Sequence, residues 1–153
     1  MLPLTTTYEI FEKAERIEVL SAEAYASLAV LFESDPAARK LFLRLEEEEL
    51  QHASRVRLLA ARYRAESRLL GPSAAPEELD ALLREVEALV RSIRDGSFAR
   101  SVEEACAKLA AFEESASRAH AEAIARSGHP ELQRFFQALA SQDRAHQELL
   151  RGR

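Results

Sequence analysis

Apolar residues recur every three or four positions through most of this chain, the spacing of helices with one buried face. The first such stretch runs from about Thr7 to Glu33. Its stripe is Ile10 or Phe11, Ala14, Ile17, Ser21, Ala24 or Tyr25, Leu28 and Leu31 or Phe32. Ser34-Asp35-Pro36 ends it and opens a second helix over about 37–66, since Asp before a first-turn Pro is an entry signal. Leu41, Leu45, Glu49, His52, Val56, Leu59 and Tyr63 form that stripe. Gly71 to Pro76 is the clearest linker. A shorter helix over about 77–94 follows, with Leu79, Leu82, Leu83, Val86, Leu89, Val90 and Ile93 on its apolar side, closed by Asp95-Gly96-Ser97. The next stretch, about 97–127, carries Val102, Cys106, Leu109, Glu113, Ala116, His120 and Ala123. Gly128-His129-Pro130 breaks the chain, and a last helix over about 131–150 presents Leu132, Phe136, Leu139, Asp143, His146 and Leu150.

The pattern predicts an all-α protein, a four-helix bundle of two antiparallel hairpins. One domain is expected over 1–153, with a crossover over about 67–96 that carries the short extra helix and packs on the outside. Composition agrees: 153 residues with 47% hydrophobic and only four Gly and five Pro favour helix. The net charge of −5 and the lack of a basic, aromatic-rich cluster argue against nucleic acid as a partner. No apolar run is long enough for a membrane span, and the first residues lack a signal-peptide pattern, so a cytoplasmic protein is expected. The single cysteine, Cys106, falls on a core stripe and reads as a small buried hydrophobe.

Glutamates and histidines stand at stripe positions where a core calls for leucine. Glu49 and His52 lie three residues apart on one helix face, and Asp143 and His146 repeat the arrangement. Glu18 precedes Glu49 by 31 residues, and Glu113 precedes Asp143 by 30. Asp35 lies midway between Glu18 and His52, and the Gly128–Pro130 break lies about midway between Glu113 and His146. Groups equidistant from an antiparallel turn meet at one height, so each hairpin brings one carboxylate against a carboxylate-x-x-His pair. A buried carboxylate needs a proton, a counter-charge or a metal. Four carboxylates formally balance two divalent cations, and Glu18, Glu49, His52, Glu113, Asp143 and His146 together match the donor set of di-iron carboxylate bundles.

At these residues the sequence resembles the rubrerythrin-like branch of the ferritin-like superfamily. The similar segments are Ile17-Glu18 with Tyr25, Leu45 to His52, Phe112-Glu113, and Ala138 to His146, and the likeness spans about residues 8–150. It implies a ferritin-like bundle with a non-haem centre of two iron ions, manganese or zinc being substitutes. The centre would react with hydrogen peroxide or dioxygen. Peroxide reduction leads; ferrous-iron oxidation, or a metal-binding helical module without redox turnover, are the alternatives. One cysteine cannot supply the rubredoxin-type iron site of full-length rubrerythrins, so an external electron donor is implied. Broad apolar helix sides are the basis for expecting a homodimer.

Three positions depart from the family pattern. Asp143 stands for a Glu one methylene longer. Ala116 stands where rubrerythrins proper carry an additional carboxylate. His120 stands where a counterpart of Tyr25 is expected; it reads as a hydrogen-bond partner of a ligand carboxylate or as a ligand itself. Tyr25 reads equally as packing or as such a partner.

Overall fold

In the computed structural model, which describes residues 4–65, 72–74, 77–126 and 130–152, local capping chemistry sets where the helices begin and end. Helix α1 spans Thr7–Leu31 and α2 spans Pro36–Ala65. Between them, Asp35 Oδ1 accepts a hydrogen bond from the Ala38 backbone N–H at 3.0 Å, while Pro36 occupies the first helical position, which needs no N–H donor. Helix α3, Glu77–Arg94, has acidic residues in its first turn and Arg91 and Arg94 in its last, matching the helix dipole at both ends. Gly96 follows at φ +80°, a conformation that favours glycine, and the Ser97 N–H reaches back to the Ser92 carbonyl.

Helix α4 spans Val102–Arg126, starting five residues later than expected and at the first residue of its apolar stripe. The reason is a cap. Ser101 Oγ accepts from the Glu104 N–H at 3.1 Å, and Glu104 Oε2 accepts from the Arg100 N–H at 3.0 Å. The residues before it form a loop whose Phe98 is buried. Helix α5, Pro130–Arg151, begins on its proline. Strands β1, Leu4–Thr6, and β2, Pro72–Ala74, pair antiparallel with Leu4 opposite Ala74; three residues each are too few to leave a strand pattern in the sequence. His129 lies outside the described residues, as does the Tyr63 side chain.

The helices form a ferritin-like bundle. Helix α1 lies along α2 and α4 along α5, while α3 packs on α1 and α4. One apolar cluster draws on all five helices. Phe11 of α1 meets Phe135 of α5 edge to face at 5.0 Å, and Tyr25 stacks on Phe42 at 6.5 Å. The expected stripes are mostly buried, but α2 enters the core through Ala38 and Phe42 with Leu41 and Leu59 only at its margin, and at the end of α1 Phe32 lies at the margin and Leu31 is 49% exposed. Peripheral ion pairs tie the helices together, Lys13 to Asp80, Arg57 to Glu15 and Arg94 to Glu23. Among the described residues no helix is long and apolar enough to cross a membrane.

Candidate metal centre

The layer at mid-bundle is where the core turns polar. Glu18, Glu49, His52, Glu113, His120, Asp143 and His146 are all buried there, and Tyr25 is 1% exposed. Each comes from a stripe position, so ordinary helical packing carries it inward. Surrounding leucines and phenylalanines, each worth about 2–3 kcal/mol when buried, offset the cost of enclosing it.

Within the layer the donors fall into two overlapping groups. Glu18, Glu49 and His52 each offer one ligand atom within 4.8 Å of the others, and so do Glu49, Glu113 and His146. Glu49 belongs to both. Its Oε2 lies 3.8 Å from His52 Nδ1, and its Oε1 lies 2.8 Å from His146 Nδ1. Glu18 Oε2 lies 3.5 Å from His52 Nδ1, and Glu113 Oε1 lies 3.4 Å from His146 Nδ1. The two imidazoles stack with centroids 5.6 Å apart.

The electrostatics show what this arrangement lacks. Burial, and then the neighbouring Glu49 carboxylate, push the Glu18 carboxyl up to about 8. Burial raises Glu49 as well. Burial opposes charge on His146, but Glu113 and Glu49 outweigh it and raise its pKa to about 11. His146 Nδ1 is nevertheless a buried atom without a hydrogen-bond partner, because the 2.8 Å approach of Glu49 is out of line with the ring N–H. Crowded carboxylates, one holding a proton at neutral pH, and an unsatisfied imidazole nitrogen between two of them form a set that a cation would satisfy. The donors are hard oxygens with one nitrogen per group, suited to iron or manganese and unlike a thiolate zinc site. The residues therefore fit a pair of divalent metal ions.

Asp143 and His120 stand apart. Asp143 belongs to neither group, and its Oδ2 lies 2.5 Å from His120 Nδ1. Burial, followed by Glu113 and Glu18, raises the Asp143 pKa well above the ordinary value, while burial lowers that of His120. The low dielectric thus disfavours both charges, and one proton shared across the contact serves both residues. His120 Nε2 has no partner among the described residues. Tyr25 Oη donates to Glu113 Oε1 at 2.6 Å, a contact from α1 to α4 across the bundle. Glu48, which the sequence puts on a largely solvated face but beside Glu49, is half-buried, and its Oε1 lies 3.9 Å from His146 Nε2.

Fold and site together define a ferritin-like helical bundle with buried carboxylate–histidine groups able to hold metal. More narrowly, the chain belongs to the rubrerythrin family, whose family model matches residues 9–152. No curated protein and no solved structure matches the chain.

Proposed function

We propose that this protein is a non-haem di-iron oxidoreductase that reduces hydrogen peroxide with electrons from an external donor. The observation that carries the reading is Glu49, one carboxylate common to both donor groups, which could therefore serve two ions. Family membership supports the same reading. Glu18 and His52 would complete one ion's protein ligands, and Glu113 and His146 the other's. Asp143, engaged by His120 through Oδ2, lies outside both groups.

Bound iron would supply the redox chemistry, two electrons for each peroxide reduced. The chain's own residues do the rest. Tyr25 fixes the orientation of Glu113 through its 2.6 Å hydrogen bond, leaving the second carboxylate oxygen free to coordinate. Burial of the layer excludes bulk water. Glu18 holds a proton near neutral pH in the metal-free state and would release it on coordination.

Metal analysis and stopped-flow oxidation test the proposal. The expected result is about two iron ions per chain and a diferrous protein oxidised much faster by hydrogen peroxide than by dioxygen. Faster oxidation by dioxygen, with ferric product released or stored, would favour ferrous-iron oxidation. Reaction with neither oxidant would remove the redox assignment.

A further inference from the structure

A cavity of about 360 Å³ lies between α2 and α5 and ends at His52. Its middle is apolar, formed by Leu59, Phe135, Ala138 and Leu139. Its charged lining is Arg55, Arg62 and Arg134 against Glu131. Arg62 is held by Glu131 at 3.2 Å, whereas Arg55 and Arg134 have no acidic partner among the described residues. A chain of net charge −5 thus concentrates positive charge at one groove, and that groove leads to a candidate metal ligand. From Arg62 to His52 along α2 is ten residues, about 15 Å at 1.5 Å per residue.

Hydrogen peroxide is small and neutral and needs neither the apolar length nor the guanidinium groups. An amphipathic anion needs both. Guanidinium recognises carboxylate through paired charge-assisted hydrogen bonds, and an elongated apolar channel accepts an acyl chain. We infer that the groove binds a long-chain carboxylate, with its head at Arg55 and Arg134 and its chain along Leu59 and Phe135.

Calorimetric titration of dodecanoate into the chelator-treated, metal-free full chain tests the site without the chemistry. Saturable binding of one dodecanoate per chain is expected, with neutral dodecanol weaker by about tenfold, the loss of one good ionic contact. The exposed double variant Arg55→Gln/Arg134→Gln should weaken dodecanoate by about tenfold or more, and Ala138→Phe should abolish binding by filling the groove. No saturable binding, or binding unchanged in both variants, overturns the site. So does a dimer on a sizing column whose dissociation is required before dodecanoate binds, since a second copy would then be the occupant.

Discussion

His120 Nδ1 on α4 lies 2.5 Å from Asp143 Oδ2 on α5, so the carboxylate that helical spacing aims at the metal layer is held by a neighbouring helix. The shorter Asp side chain and the imidazole opposite it are two of the three departures from the family pattern, and they meet each other. A Glu–Tyr combination at these positions would distribute the same contacts differently, because the acid would reach one methylene further.

Replacing His120 with phenylalanine would leave the Asp143 carboxyl buried without its partner. An unsatisfied buried polar group costs about 1–3 kcal/mol. Chemical denaturation of the metal-free protein should show a loss of that size. Asp143 would also be released toward the metal layer, so the second iron should bind more tightly in His120→Phe than in wild type. Unchanged stability together with unchanged iron affinity would show that the pair matters to neither.

Glu49 should be the ligand whose loss is felt twice. Glu49→Gln keeps the volume and removes the bridging charge, so iron content should fall from about two per chain to one or none, whereas His52→Ala should lose one ion only. Elemental analysis after iron loading distinguishes these outcomes. Equal loss in both variants would contradict a shared carboxylate.

The metal-free protein should become less stable as pH rises. The folded Glu18 carboxyl titrates at about 8 against 4.5 when unfolded, so the folded state keeps a proton that the unfolded state has released. Its stabilising contribution is complete below about 4.5 and is lost as pH passes through 8. His146, raised from 6.5 to about 11, acts in the same direction over a higher window. Thermal melts in chelator should therefore show a loss of about 2–4 kcal/mol between pH of about 5 and 8.5, with added ferrous iron protecting most at the higher pH. A melting temperature that rises across this range would refute the assigned shifts.

Tyr25→Phe removes the hydroxyl that holds Glu113 Oε1 and nothing else of comparable size. A cost of about 1–2 kcal/mol is expected from the buried carboxylate left with one partner fewer. Weaker binding of one iron, with the other unaffected, is the companion outcome, read by competition with a chelator. Uniform weakening of both ions would mean the phenol acts on the whole layer.

Much of the molecule follows from local chemistry that the chain itself displays. A Ser-Asp-Pro boundary, a glycine after Arg94 and Asp95, and a proline at residue 130 set helix ends because caps and backbone dihedrals act within a few residues. Helical periodicity placed Glu18, Glu49, His52, Glu113, His120, Asp143 and His146 on inward faces, and each is buried. The late start of α4 was also legible, in Ser101-x-x-Glu104, but the expectation began the helix directly after the Asp95-Gly96 break, further upstream than the cap allows.

The sequence by itself determined the helices, their buried faces and the layer of acids and imidazoles, because 3.6-residue periodicity and capping are properties of neighbours along the chain. Only the tertiary structure decided that Glu49 stands between both histidines, that Asp143 turns to His120 and that arginines on α2 and α5 flank one groove. A stripe specifies a face, while a contact between helices depends on side-chain rotamers and the angle and depth at which those faces meet. Those are set by the packing of the whole core.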